Sequence, residues 1–180
     1  GTGPLYKAQS CREGHQNPSA GGTGQMTYVR VGHQGSYHHF HNPDIPIANG
    51  TEVISGRTLV NDRAICPSGA FATTEIQEHV PESEPIRAVR VALGLLGDGF
   101  VEAVADQTFV ELARKQCKDS HHKICGQVLY VPVVEAPRET GLGRFGWKDQ
   151  QPSLVSFLGA AYPTGRGLPT PPFPQQVQKS

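Results

Sequence analysis

The chain has 180 residues, with 16 acidic and 16 basic side chains and a net charge of zero at pH 7. This length suits one domain, and the balanced charge argues against nucleic acid or an anionic membrane surface as a partner. Glycine and proline number 21 and 15, which predicts a loop-rich fold around a modest core.

Local patterns predict short elements along the chain. Residues 25–31 have β-forming character and predict a strand within a loop-rich amino-terminal zone. Apolar residues at 85–93 and 100–104 are interrupted by glycines and predict short secondary-structure elements. Asp106 is typical of a helix N-cap, and an apolar stripe predicts a helix to about residue 117. A strand is predicted at 127–135 and a last helix at 153–162.

The carboxyl-terminal segment 163–180 contains five prolines and predicts an extended, exposed tail. Residues 1–162 then form the single domain. No apolar stretch approaches the roughly 20 residues of a membrane-spanning helix, so no direct membrane span is expected.

The segment Ser10-Cys11-Arg12-Glu13-Gly14-His15 carries part of the pattern that attaches c-type haem. In the full Cys-x-x-Cys-His pattern, both thiols form thioethers with haem and the histidine ligates iron. Cys11 and His15 occupy the outer positions, but Gly14 stands where the second cysteine belongs. The spacing alone leaves an alternative, in which Cys11 forms a disulfide, for example with Cys66, and His15 is an ordinary surface residue.

Four parts of the chain resemble, in order, the di-haem oxidoreductase family, whose members are similar to bacterial di-haem peroxidases. They are residues 3–6 with 10–18, then 60–67, 96–103 and 143–150. The last part, which begins Gly-Arg-Phe-Gly-Trp-Lys, is the most specific of the four. Together they span almost the whole chain.

The resemblance implies a mainly α, cytochrome-c-like fold, loop-rich with a few short β-strands, in the periplasm or outside the cell. It implies one haem c per chain, with Cys11 as the single thioether tether and His15 as the proximal iron ligand. The family's second haem motif follows the Gly-Arg-Phe-Gly-Trp-Lys segment, whereas no cysteine follows Cys125 here. We therefore expect peroxidase-like or other oxidoreductase activity only if another chain supplies a second haem centre.

Other residues are candidates for contacts with the haem. Met26 or His33 could supply the distal iron ligand. Arg144 could pair with a haem propionate, and Trp147 could lie on an electron path beside the haem edge. Alternatively, Trp147 is a core residue flanked by surface cations. The histidine-rich residues 37–41 favour a solvated loop over a metal site.

A second cluster contains Cys117, His121, His122 and Cys125. If the preceding helix continued, Cys117, His121 and Cys125 would share a face and could bind zinc with a fourth ligand. A disulfide between the two cysteines is the favoured interpretation, since it closes a short loop and suits an exported protein.

Two functions follow from the sequence. The first is an exported electron-transfer protein with one c-type haem, working beside other protein subunits that include a redox partner with a further haem. The alternative is a haem-free structural or binding subunit of an exported complex, which keeps the family scaffold. Its Pro- and Gly-rich loops and extended tail would suit docking to partner chains.

Overall fold

A computed structural model describes residues 5–35, 40–41, 44–46, 53–55, 59–61, 63–64, 78, 80 and 82–171. The helices are α1 Cys11–Gly14, α2 Asp98–Ala103, α3 Asp106–Asp119 and α4 Leu154–Arg166. The strands are β1 Leu5–Tyr6, β2 Thr27–Gln34, β3 Phe40–His41, β4 Asp44–Pro46, β5 Val53–Ser55, β6 Arg63–Ala64, β7 Ile86–Val91, β8 Tyr130–Pro132 and β9 Thr140–Leu142.

The fold is a mixed α+β arrangement with many connecting loops. Within the described ranges, nine strands accompany four helices, so the prediction of a mainly α fold is wrong. The expected short strands and abundant loops are confirmed. The physical reason for the difference lies in segments such as β7, Ile-Arg-Ala-Val-Arg-Val, where β-branched residues favour a strand over a helix. None of the described helices has the length and apolar character needed to span a bilayer.

The longest strand pairing joins β2 to β7. The two strands run antiparallel, with register from Thr27 opposite Val91 to Gly32 opposite Ile86. β3 pairs with the far end of β2, where His33 lies opposite His41. The predicted strand at 25–31 is thus confirmed, although it begins at Thr27 and ends at Gln34. Three further antiparallel pairs are β1 with β6, β4 with β5 and β8 with β9.

The core beside this sheet is small. Val31 and Val60 are buried, and Val29 and Val80 pack against them. Asn61 and Glu78 lie beside these valines in sequence and are also buried. The Asn61 N–H donates to the Glu78 carboxylate at 2.6 Å, and the Glu78 N–H donates to the Asn61 carbonyl at 3.1 Å. Burying a carboxylate is costly unless it accepts hydrogen bonds. The bond from Asn61 to Glu78 offsets part of this cost.

The contacts divide the chain into two compact units. Unit 1 comprises residues 1–94 and 160–180, and unit 2 comprises residues 95–159. Unit 2 contains α2, α3, β8, β9 and the first residues of α4. The prediction of a single domain over residues 1–162 stays a prediction.

The predicted helices are confirmed with shifted ends. α3 begins at Asp106 as expected, but Ala105 is its N-cap and provides no side-chain hydrogen bond. α4 was expected to end at residue 162, yet it includes Pro163 and continues to Arg166. The Thr164 hydroxyl donates to the Ala160 carbonyl within this last turn. The prediction of an extended, exposed tail from residue 163 is wrong for residues 163–166, which are helical and include the fully buried Pro163. Residues 172–180 lie outside the described part, and an extended tail after residue 166 stays a prediction.

The start of α4 is fixed by a network of two serines and a carboxylate in unit 2. The Ser156 N–H donates to Ser153 Oγ at 2.9 Å, which is an N-cap bond. Both serine hydroxyls donate to the Glu135 carboxylate, and the Val134 N–H donates to Ser156 Oγ at 3.2 Å. Partial burial raises the pKa of Glu135, but the hydrogen bonds from both serines outweigh it and lower the pKa below its usual value.

We predict that Ser156→Ala destabilises the protein, because Ser156 is completely buried and its hydroxyl serves both Val134 and Glu135. Leaving a buried N–H without its acceptor costs about 1–3 kcal/mol. Urea denaturation measures this loss. Ser19→Ala is the matched control, since Ser19 is exposed, and it should change the free energy of unfolding by less than about 0.5 kcal/mol. Equal stability of the two variants would contradict the role given to Ser156.

Candidate haem-attachment site

The helical turn that carries Cys11 is set by its capping residues. Ser10 is the N-cap of α1, and its Oγ accepts a hydrogen bond from the Glu13 N–H at 3.0 Å. The Glu13 carboxylate in turn accepts from the Gln9 N–H at 2.6 Å. This Ser-x-x-Glu exchange resembles a capping box, which is why so short a segment forms a helical turn. Arg63 adds an ion pair with Glu13 at 3.5 Å.

The His15 ring is oriented by a backbone carbonyl distant in sequence. Its Nδ1 lies 2.8 Å from the carbonyl oxygen of Leu93. Because a carbonyl only accepts, Nδ1 must carry the proton, and the lone pair of the neutral ring is then at Nε2. Metal-binding histidines are usually held in this way, with the second nitrogen donating to a carbonyl or carboxylate. The tautomer and orientation of His15 therefore fit an iron ligand.

Backbone hydrogen bonds hold the loop that follows His15. The Gly21 N–H donates to the His15 carbonyl at 2.9 Å, and the Gly24 N–H donates to the Ala92 carbonyl at 2.8 Å. A Cβ atom at Gly24 would lie 2.6 Å from the Gly14 carbonyl oxygen. Glycine at position 24 thus permits the close approach of this loop to the turn that carries the motif.

Cys11 and Gly14 are compatible with thioether attachment. Cys11 is exposed, and it forms no disulfide with the other described cysteines. Cys66, its alternative partner, lies outside the described residues. A Cβ atom at Gly14 would meet only Ala8 Cβ, at 3.8 Å, which is an ordinary contact. The space around position 14 therefore accepts a larger side chain.

The two candidates for a distal ligand belong to the same strand region. Met26 is half-buried and directly precedes β2, whereas His33 lies near the end of β2. The His33 Nδ1 is 2.9 Å from the Glu84 carboxylate, which is almost fully buried. This pairing orients the His33 ring as carboxylates orient ligating histidines. The choice of Met26 or His33 stays a prediction.

Arg144 has a role inside unit 2 that its motif did not reveal. One guanidinium nitrogen donates to the carbonyls of Val101, Glu102 and Val104, at 2.9, 3.2 and 2.9 Å. The other nitrogen pairs with the Asp106 carboxylate. The guanidinium thus caps the end of α2 and ties it to the start of α3. The haem-propionate assignment of Arg144 stays a prediction beside this structural role.

Local structure also explains the residue types at neighbouring positions of this motif. A Cβ atom at Gly143 would lie 2.0 Å from the Asp149 carbonyl oxygen, and Gly146 adopts a left-handed φ of 89°. Phe145 is buried, and its ring centroid lies 6.5 Å from that of Phe157. Trp147 in the turn is 41% exposed. It is not a core residue, and its predicted place on an electron path stays a prediction.

The second cysteine cluster forms the expected disulfide between Cys117 and Cys125. The alternative zinc set with His121 needed a continuing helix, but α3 ends at Asp119. The histidine beside the disulfide is His122, whose Nδ1 lies 3.3 Å from Cys117 Sγ. The sequence placed His122 in this cluster but favoured His121 as the ligand, because helix periodicity does not indicate the turn that follows α3. The contact of His15 with the Leu93 carbonyl was missed, because it joins residues that are distant in the sequence.

Comparison with known proteins does not identify this chain: no protein-family model, curated protein or solved structure matches it. The resemblance to di-haem oxidoreductases therefore enters below as part of a proposal.

We predict that Arg144→Met lowers the free energy of unfolding by about 2–4 kcal/mol, because three carbonyls and the Asp106 carboxylate lose a buried, charged donor. Chemical denaturation checks this value. Arg114→Met removes an exposed arginine from α3 and serves as the control, with a change below about 0.5 kcal/mol. A stable Arg144→Met protein that loses haem would instead support the pairing of Arg144 with a haem propionate.

Proposed function

We propose that this chain is an exported electron-transfer protein of the di-haem oxidoreductase type, with a cytochrome-c-like arrangement around one c-type haem. The observation that carries the proposal is the hydrogen bond from His15 Nδ1 to the Leu93 carbonyl, 2.8 Å long. It prepares Nε2 for iron at the position that the attachment motif assigns to the proximal ligand.

Each residue of the motif would have a defined task. Cys11 would add its S–H across one haem vinyl group, so that sulfur bonds to carbon and the proton is retained in the product. His15 would supply the proximal nitrogen, held in orientation by Leu93. A haem bound there would supply one-electron redox chemistry. The single tether would make the attachment less rigid than two thioethers.

Partner chains are part of the proposal. Peroxidase-like chemistry uses paired haems, and we propose that a second haem centre, beside the one attachment motif of these 180 residues, is supplied by another protein subunit. Unit 2 exposes large apolar side chains that suit a protein contact, with Phe100 84% and Leu96 70% exposed. Export to the periplasm or beyond would agree with the disulfide between Cys117 and Cys125.

One observation favours the alternative, a haem-free subunit that keeps the scaffold. The Gly-Arg-Phe-Gly-Trp-Lys segment stabilises the fold without a cofactor, because Arg144 joins α2 to α3 and Phe145 packs on Phe157. That segment could therefore be retained in a protein without a cofactor. Haem content separates the two functions.

The test is the intact mass of the denatured chain after expression with a haem-attachment system. We expect the polypeptide mass plus one haem, because a thioether survives unfolding while an axial iron bond does not. Cys11→Ser should give the bare polypeptide mass. If the wild-type chain also shows the bare mass and its native form has no haem absorption bands, the haem-free function is correct.

We further predict that Gly14→Cys increases haem retention under denaturing conditions and shifts the reduced α band towards that of a two-thioether haem. The new side chain has room, since Ala8 Cβ would be 3.8 Å from its Cβ. Visible spectra and denaturing gels stained for haem measure both effects. Gly99→Cys is the control, because position 99 is also open and lies outside the motif. Identical behaviour of the two variants would mean that residue 14 does not face a haem.

A further inference from the structure

We propose that the Cys117–Cys125 disulfide is the closed form of a redox-controlled metal site. When the disulfide is reduced, the two thiolates and the His122 imidazole bind a zinc ion. This site lies in unit 2, apart in sequence from the haem-attachment motif, and the inference does not depend on the proposed haem function.

The three side chains are already gathered. Their ligand atoms, Cys117 Sγ, Cys125 Sγ and a ring nitrogen of His122, lie within 4.8 Å of one another. The His122 Nδ1 is 3.3 Å from Cys117 Sγ. Two thiolates and an imidazole are a donor set that zinc prefers, and cysteines with histidines form most structural zinc sites.

Backbone geometry, in addition to the disulfide, holds His122 near Cys117. His121 and His122 have left-handed φ angles of 51° and 63°. This double turn reverses the chain after α3, and the His122 N–H donates to the Cys117 carbonyl at 2.8 Å. Left-handed conformations are uncommon for residues other than glycine. We infer that the hydrogen bond from His122 to Cys117 stabilises this turn.

The Ser120 hydroxyl makes further hydrogen bonds within the same loop. Its hydroxyl donates to the Cys117 carbonyl at 3.2 Å and to the Ile124 carbonyl at 2.8 Å, as alternative acceptors for one proton. It also accepts from the Ile124 N–H at 2.9 Å. Ile124 precedes Cys125 directly, so Ser120 keeps both cysteines together whether or not their sulfurs are bonded.

The chemistry of opening is balanced by a thiol reductant. Two reductant thiols give up two electrons and two protons to the Cys117–Cys125 bond, which yields two protein thiols and the reductant's own disulfide. Zinc then displaces the two thiol protons as it binds. His122 and Cys125 are exposed and Cys117 is partly exposed, so reductant and metal can both reach the site.

The reduced site needs only small side-chain movements to accept zinc. Zn–S bonds of about 2.3 Å in a tetrahedron place two sulfurs roughly 3.8 Å apart. Rotation of the two cysteine side chains can provide this separation, since their Cα atoms are 4.1 Å apart. Two thiolates neutralise the dication, and the fourth position is open to water or to a ligand from another protein. A disulfide oxidant reverses the change: it takes two electrons from the two thiolates and two protons from solvent, becomes two thiols, and restores the Cys117–Cys125 bond with release of the zinc ion.

The experiment is a titration of the full chain with cobalt(II), used as a coloured substitute for zinc, followed by displacement with zinc. It is done on the Cys11→Ser background, before and after reduction with a phosphine that is then removed under anaerobic conditions. We expect one cobalt per reduced chain, with thiolate-to-metal charge-transfer bands and tetrahedral d–d bands. The oxidised chain should bind none.

His122→Asn and His121→Asn form the matched pair, because asparagine tolerates the left-handed backbone at either position. Loss of an outer-shell partner alone lowers metal affinity about 10–100-fold, so His122→Asn should weaken binding at least about tenfold, while His121→Asn should stay within about twofold of the parent. Alkylation of the reduced thiols, which needs no change of sequence, should abolish binding. Cobalt binding that is absent after reduction, unaffected by His122→Asn, or equal in the oxidised chain would overturn the proposal.

Discussion

The antiparallel pairing of β2 with β7 is the constraint on which unit 1 and the candidate haem site depend. It sets Thr27 opposite Val91, and just beyond the two strands the Gly24 N–H donates to the Ala92 carbonyl. One residue further along, the Leu93 carbonyl receives the His15 ring. A slip in this register would move every one of these partners, because side chains alternate between faces along a strand. The orientation of one imidazole is therefore decided by a sheet that contains neither residue of the attachment motif.

In unit 2, polar side chains join the elements at their ends. Arg144 links the last carbonyls of α2 to the first residue of α3, and the Glu102 carboxylate accepts the Leu154 N–H at the start of α4 at 2.7 Å. Glu135 holds Ser153 and Ser156. Each of these bonds satisfies a group at or near a helix end that has no partner within the helix. Contacts at their ends thus stabilise these short helices. Burial of apolar side chains contributes less, since large apolar residues such as Phe100 remain exposed.

Local signals in the sequence identified elements with a strong pattern of their own. The apolar stripe after Asp106 predicted α3, and the β-forming residues from 25 to 31 predicted β2, each with its ends displaced. The α+β balance was not predicted: the β-branched residues of β7 favour a strand, but its pairing with β2 joins residues that are distant in the sequence. The disulfide of Cys117 with Cys125 followed from spacing, whereas the place of His122 depended on two left-handed residues that no helix periodicity indicates. The structural contacts of Arg144 were not predicted from the sequence, because the backbone carbonyls of Val101, Glu102 and Val104 accept its bonds only once α2 and α3 have formed.

The open surroundings of Gly14 have a consequence for how this motif can change over generations. Glycine codons that end in a pyrimidine differ from a cysteine codon by a single base, and a larger side chain at position 14 meets only an ordinary contact with Ala8. One point mutation therefore converts Cys-x-x-Gly-His into Cys-x-x-Cys-His, or the reverse, with no accompanying change elsewhere in the packing. In the haem protein that we propose, the number of thioethers would then change between one and two under selection on cofactor retention, and not on the stability of the fold.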